Sequence, residues 1–437
     1  MYRIYPGKVF ANKIIKKDER CMRRARRLVK GLGMAESDFV WFDDGDLVRI
    51  IRERGLTEAR VPQGIRRTDN PDFIFNAIDF SRSPGERADE ILAGNRECQT
   101  GKKDIVGRFA GKRSYPHTAG GDVASLCGGG CRYLFEFHMV NGCLHQCNYC
   151  PAGGLVTLLL NIEEWIEKVV APFYKAHPWQ RLSRFDVDST DIPTLEPEYD
   201  ALRPLAEFHA KEGRYLVVFT KSGSVDHLLD LGLQNNLIFL WSLTAETQAR
   251  VLERRSGSTR ERIEAARRAQ QAGYAVRFKF KPIVPLKNWR REATEMIDLL
   301  LKRVRPDNIT MGSIAYMPIH DYLACIDPEL LDPEILRATR NGRDETAEQE
   351  REMLPREARR EMYEHYIREI RKRDADVPVA LCNESEELWD DLGALMGADK
   401  REFTCNCGPM ALPGLKKLSR EDMATIEKLP EVEKCTK

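Results

Sequence analysis

From residue 131 onward the sequence alternates strand patterns with helix patterns, which predicts an α/β fold built on a partial (β/α)6 barrel. Three observations carry this expectation. Six apolar, strand-like runs recur at spacings that leave room for one helix each. The intervening segments have amphipathic spacing and helix caps. Right-handed crossovers between parallel strands curl such a sheet toward a barrel. The barrel spans 126–320, between an N-terminal α/β extension over 1–125 and a helical, cysteine-bearing C-terminal extension over 321–437.

Taken in order, residues 1–125 alternate short helical patterns with Gly/Pro-rich turns, and "GKRSYPHTAGGD" reads as a linker. "RYLFEFHMV" is the first barrel strand, followed by the amphipathic helix "LNIEEWIEKVVAPFYKA". "LSRFDVDS" is the second strand, with a helix through 196–212. "RYLVVFTK" is the third, followed by "VDHLLDLGL", and "NLIFLWSL" is the fourth. The next helix starts at Ser258, whose spacing to Glu261 predicts a capping box, and closes on Gly273. "YAVRFKFKPIV", a helix over 289–304 and "DNITMGSIAYM" complete the series. Beyond residue 320 come a highly charged helical stretch, the short strand "DVPVALC" and the tail "FTCNCGPMALPG".

The composition, 42% hydrophobic and 31% charged over 437 residues, is that of a globular chain with a substantial core. No run approaches the roughly 18–20 apolar residues of a membrane span. The N-terminus lacks a secretory h-region, so a cytoplasmic location without a membrane is expected. Net charge is +1, yet residues 1–120 hold 25 Lys and Arg against 17 Asp and Glu. Much of that excess lies in "KKDERCMRRARRLVKG", read as a solvated helix face, with a nucleic-acid or anionic contact as the other reading.

Three of the 12 cysteines, Cys143, Cys147 and Cys150, crowd into "NGCLHQCNYCPAGG" directly after the first strand. The C-terminal ends of barrel strands are where such folds place their chemistry. Disulfides fit poorly, because three thiols leave one over and the expected compartment is reducing. Zinc wants a second pair, and Cys127 with Cys131 keeps that reading open. The C-x3-C-x2-C spacing fits a [4Fe–4S] cluster with three irons on thiolates and the fourth open to a small molecule.

This spacing, with the aromatic Tyr149 before the last cysteine, resembles the radical S-adenosylmethionine superfamily. "GCLHQCNYC", "RFDVDSTD", "LVVFTKSGSVDHLLDL", "RSGSTRERIEAARRAQQAGYAV" and "KPIVPLKNW" are similar to its spore photoproduct lyase branch, a DNA-repair branch. The resemblance implies a partial TIM-type barrel and two cofactors, a [4Fe–4S] cluster and S-adenosylmethionine. It also implies reductive cleavage to a 5′-deoxyadenosyl radical, and an electron donor such as flavodoxin or ferredoxin. Tyr149, Ser189, Thr190, Asp191, Lys221, Ser242 and Thr244 occupy positions the family uses around S-adenosylmethionine. Two departures stand out. The repair enzymes carry a hydrogen-donating cysteine in the second-strand segment, where this chain has Asp188 or Ser189. They also carry a tyrosine directly after the third cluster cysteine, where this chain has Pro151.

In the fifth strand Val276, Phe278 and Phe280 alternate with Arg277, Lys279 and Lys281. With the apolar face toward the outer helices, the cations point into the barrel, where they need anionic partners. Lys279, Lys281 and Asp188 are therefore the candidate catalytic residues. The cations bind carboxylate or phosphate groups of a substrate, or pair with Asp186 and Asp188; the other reading turns them to water at an open edge. Cys382, Cys405 and Cys407 are candidates for a second iron–sulfur cluster or metal site, or for a hydrogen-donating thiol. Cys21 and Cys98 read as inert thiols, and His138 and His145 as satisfied or surface histidines. The expected function is a radical enzyme whose partner is a small anionic substrate, ranked ahead of DNA. DNA or RNA lesion repair or modification, and a non-catalytic zinc or iron–sulfur protein, are the alternatives.

Overall fold

A computed structural model describes residues 2, 4–55, 61–66, 69–93, 103–119, 134–152, 155–186, 189–314, 319–341, 354–400 and 402–426. Cys98, Cys127, Cys131, Cys435 and the candidate Asp188 lie outside the described residues. Two largely parallel sheets organise the chain. The first contains β1 (Val9–Asn12), β2 (Phe39–Phe42), β3 (Asp72–Asn76), β6 (Val140–Asn141) and β7 (Leu155–Leu159), in the order β2-β1-β3-β7-β6. The second contains β8 (Leu182–Arg184), β9 (Tyr215–Thr220), β10 (Leu237–Ser242), β11 (Ala275–Ile283), β12 (Asn308–Ser313) and β13 (Val379–Leu381). It is parallel throughout and its strands are ordered in sequence, β8 to β13. Every crossover therefore steps in the same direction, and the sheet curls into the expected half-barrel.

The two faces of the curled sheet follow from the period of two. Leu216, Val218, Phe239, Trp241, Val276, Phe278 and Phe280 join the main core beneath the helices. Leu182, Val217, Ile238 and Leu240 form a small separate cluster on the opposite, concave side. Ser258 and Glu261 make the expected capping box on the helix Thr259–Gln271.

Several elements depart from the sequence reading, each for a physical reason. The first strand is divided: β5 (Leu134–Glu136) pairs antiparallel with β4 (His117–Ala119), and Phe137 bridges to Phe185 beside β8. Val140 and Asn141 turn into the other sheet. The linker reading of 111–122 fails at its centre, where Lys112–Ser114 form a 3-10 turn and β4 follows. β7 was not foreseen, because "LVTLL" packs between β3 and β6 and shows no polar alternation. The helix expected over 196–212 begins at Leu202, since the Glu196 carboxylate accepts the Asp200, Ala201 and Leu202 N–H groups. β13 is the sixth sheet strand, reached through the helix Arg356–Arg371, whose Tyr366 ring lies near-parallel to that of Trp289.

The basic N-terminal run is largely internal bookkeeping of charge. Arg24 is buried on Glu163 and the Leu160 and Tyr199 carbonyls, while Arg26 pairs with Glu19 and Glu36. Among the described residues no helix is long and apolar enough to cross a membrane.

Candidate active site

The three-cysteine loop leaves β6 through Gly142, whose φ of 106° and close packing exclude a side chain; a Cβ there would sit 2.2 Å from the Leu155 carbonyl oxygen. The loop is clamped through its backbone. Asn148 N–H donates to Leu252 O at 2.8 Å, and Gln63 and Gly64 N–H donate to the Cys150 and Asn148 carbonyls. Cys147 is buried, and Cys143 and Cys150 are half-buried.

Burial pushes the Cys143 thiol well above its ordinary range, reinforced by Asp191 and by the other two sulfurs. Burial likewise pushes Cys147 up to about 12, with Lys221 opposing. Three such groups become thiolates together only around a cationic centre, because each disfavours ionisation of the others. This donor set fits a three-thiolate iron–sulfur cluster.

Two polar networks hold the loop from behind. In the first, Asp191 faces His145 Nε2 at 2.7 Å and accepts from Thr220 Oγ1 at 3.0 Å and Lys221 N–H at 2.7 Å. Its carboxylate thereby ties the cysteine loop to the end of β9. In the second, Glu253 and Arg262 are both 0% exposed and lie 2.5 Å apart. Glu253 also accepts from Tyr149 Oη, from Lys221 Nζ at 2.8 Å and from Thr244 Oγ1 at 3.1 Å. Burial opposes ionisation of Glu253, but Lys221 and Arg262 beside it win and hold its carboxyl well below the usual range. Arg262 further donates to the Ser242 carbonyl at 3.0 Å.

Tyr149, Lys221, Ser242 and Thr244, expected around S-adenosylmethionine, converge on one network whose centre is the unforeseen pair Glu253–Arg262. Ser189 Oγ lies 3.4 Å from Arg113 Nη1, and its carbonyl accepts from Gly142 N–H. Thr190 Oγ1 is buried with no hydrogen-bond partner among the described residues, an orphaned hydroxyl beside these networks.

The fifth-strand cations do lie on the concave side. Lys279 Nζ sits 5.7 Å from the Phe219 ring centre and Lys281 Nζ 3.6 Å from Cys382 Sγ. Arg277, by contrast, is consumed by structure: it pairs with Asp307 at 2.7 Å and donates to the Asn406 and Ala411 carbonyls. The tail crosses the half-barrel here. Asn406 Nδ2 donates to the Phe278 carbonyl, Asn308 Nδ2 to that of Thr404, and Leu182 N–H to that of Pro409. Cys405 and Cys407 are hydrogen-bonded to each other, and Cys407 faces Arg184, Lys279 and Cys382. The Cys405 hydrogen bond, with those cations, holds the Cys407 thiol below its ordinary value against its burial.

Asp186 is not a partner of the cations. Its Oδ1 accepts from Val140 N–H at 2.8 Å, and Arg184 instead pairs with Glu136 at 2.5 Å. Burial pushes the Asp186 carboxyl up to about 8, against the Val140 and Met139 N–H groups. Because this exceeds the unfolded value of about 3.9, its contribution to stability is fully present below that value and is lost as pH rises through about 8. Urea midpoints of the wild type are therefore expected to fall across that window relative to Asp186→Asn. Parallel curves for the two proteins would refute this.

A family model of spore photoproduct lyase matches residues 133–320. The chain is 27% identical to the spore photoproduct lyase of Bacillus subtilis over 193 residues, 42% of this chain and 56% of that one. It is 25% identical to that of Clostridium acetobutylicum over 171 residues, 37% of this chain and 50% of the relative. The chain thus spans about half the length of the curated relatives it matches. Its fold matches a solved spore photoproduct lyase complexed with dinucleoside spore photoproduct, with a TM-score of 0.60 at 15% identity, over 87% of this chain and 100% of that one. A variant with bound S-adenosylmethionine and the same dinucleoside gives 0.59 at 16% identity, over 86% and 99%.

These findings overturn the ranking of a small anionic substrate ahead of DNA, since the molecule bound in the relatives is a dinucleoside photoproduct. The physical support for that ranking also weakens, because Arg277, one of the three cations it rested on, is neutralised by Asp307. Motif, curled sheet and relatives agree: the chain is spore photoproduct lyase-like over residues 133–320 and shares the fold of the solved spore photoproduct lyases.

Proposed function

We propose that this protein is a radical S-adenosylmethionine enzyme acting on a dinucleotide lesion in DNA. The observation that carries the reading is the buried three-thiol loop, braced by Tyr149, Lys221, Glu253 and Arg262 at the mouth of a curled parallel sheet. Cys143, Cys147 and Cys150 would hold the [4Fe–4S] cluster, and the Thr190 hydroxyl and Lys221 flank the space for S-adenosylmethionine. When bound, these cofactors supply a carbon radical able to take hydrogen from an unactivated C–H bond.

The chain's own residues do the rest. Asp191 and His145 fix the loop, and Glu253 keeps Tyr149 and Lys221 in place. After lesion scission a carbon radical needs a hydrogen atom, and hydroxyl or carboxyl O–H bonds are too strong to give one. We assign this role to the Cys405–Cys407 pair, neighbouring thiols where the tail crosses the half-barrel. The Cys405 S–H bond breaks, the product C–H bond forms, and an external one-electron reductant with a solvent proton restores the thiol. Thiolate-based iron chemistry supports a reducing, cytoplasmic setting for this reading.

Anaerobic protein given dithionite, S-adenosylmethionine and a lesion-bearing oligonucleotide is expected to form 5′-deoxyadenosine and rejoined thymines. Binding of the oligonucleotide should weaken with salt. Absence of 5′-deoxyadenosine with an intact cluster would overturn the proposal.

A further inference from the structure

We infer that His117, Glu136 and His138 form a second metal site, separate from the cysteine loop, which takes a divalent ion of the zinc class. The three residues are brought together by strand pairing. His117 on β4 is the direct cross-strand partner of Glu136 on β5, and His138 follows two residues on, on the same face. Their donor atoms lie within 4.8 Å of one another, and Glu136 and His138 are buried.

The hydrogen bond at the His117 ring sets its tautomer. His117 Nδ1 lies 3.2 Å from the Tyr115 carbonyl oxygen, which can only accept, so Nδ1 carries the proton and Nε2 a lone pair. His138 Nε2 lies between a donor, Arg113 Nη2 at 3.3 Å, and an acceptor, Glu136 Oε1 at 3.4 Å, so it faces the carboxylate in either tautomer, and an ion bound there displaces the Arg113 contact. Both ring nitrogens converge on Glu136 Oε1, at 3.5 Å from His117 Nε2 and 3.4 Å from His138 Nε2. Three possible ligand atoms thus face one another.

A proton between them is the competing arrangement, and the distances disfavour it. A charge-assisted N–H···O bond spans about 2.7–2.9 Å. Tetrahedral donors around an ion at about 2.1 Å lie about 3.4 Å apart, the spacing of both histidine contacts to Glu136. Arg184 occupies the other carboxylate oxygen, Oε2, at 2.5 Å, and so leaves Oε1 for the ion. The guanidinium groups of Arg113 and Arg184 lower the affinity and make the ion exchangeable. With three protein ligands, one position stays open, as at catalytic rather than structural zinc sites.

The test uses anaerobic protein with its cluster in place, titrated with Co2+ in the absence of S-adenosylmethionine. One Co2+ per chain is expected, with the visible absorption of a tetrahedral nitrogen–oxygen site and no thiolate charge-transfer band. His117→Ala, at a half-buried position, should abolish this uptake while leaving the cluster iron unchanged, and His138→Gln should weaken it at least about tenfold, ~1.4 kcal/mol. Undiminished uptake by His117→Ala, a thiolate–cobalt band, or no uptake by the wild type would each overturn the inference. None of these outcomes depends on radical chemistry, so failure here leaves the proposed function to its own test.

Discussion

Replacing Glu253 by glutamine is expected to lower the free energy of unfolding at neutral pH by about 3–5 kcal/mol, the cost of breaking a buried ion pair from one side. The change preserves shape and removes only the charge. Arg262, 0% exposed, then keeps its guanidinium with no carboxylate opposite, and Lys221 loses its partner at 2.8 Å. The sign with pH is fixed by the direction of the shift. Glu253 is held below its unfolded value of about 4.3, so its contribution is present above that value and fades only as pH falls below it. The gap between wild type and variant should therefore be constant from pH 6 to 8 and close in acid. Urea unfolding followed by circular dichroism measures it, and a loss under about 1 kcal/mol would show that the network is not under tension. A double-mutant cycle with Arg262→Met should recover part of the loss, because the two residues act as a pair. Tyr149 hydrogen-bonds to Glu253 next to Cys150, so cluster retention should fall together with stability.

That Glu253 escaped the sequence reading has a simple cause. It stands in "RVLERRSGS", where alternating charges resemble any solvated helix end, and only the fold brings Lys221, Arg262 and Tyr149 onto it. The cysteine loop was legible because its chemistry is local: three thiols within eight residues restrict what they can hold. The strands β8 to β12 were legible because their faces alternate and the helix Thr259–Gln271 among them carries the cap at Ser258. The inward direction of Lys279 and Lys281 followed from the same alternation. Their surroundings did not, because Asn406 and Cys407 arrive from a tail more than a hundred residues away. His117 was hidden differently. Its segment has the Gly and Pro content of a linker, yet three of its residues pair with β5 and complete a donor set with Glu136 and His138.

Changing Cys405 and Cys407 to serine together is expected to uncouple the two halves of the reaction. Serine has nearly the same volume and keeps a polar contact between the positions, so the tail should still lie across Asn308, Phe278 and Arg277. The cluster cysteines are untouched, and 5′-deoxyadenosine should still form on adding S-adenosylmethionine, dithionite and lesion oligonucleotide. Hydrogen return should fail, because a serine O–H bond is too strong to give its atom to a carbon radical. Rejoined product should drop at least about 100-fold, ~2.7 kcal/mol of barrier, with abortive products in its place. In D2O the wild-type product should carry solvent deuterium, since a thiol hydrogen exchanges with water. Iron content decides whether these thiols are free to act. About four irons per chain in both proteins leaves Cys382, Cys405 and Cys407 as thiols, whereas about eight in the wild type and four in the variant makes them ligands of a second cube. That second result, or undiminished product from the double variant, would remove the tail from the hydrogen-transfer step.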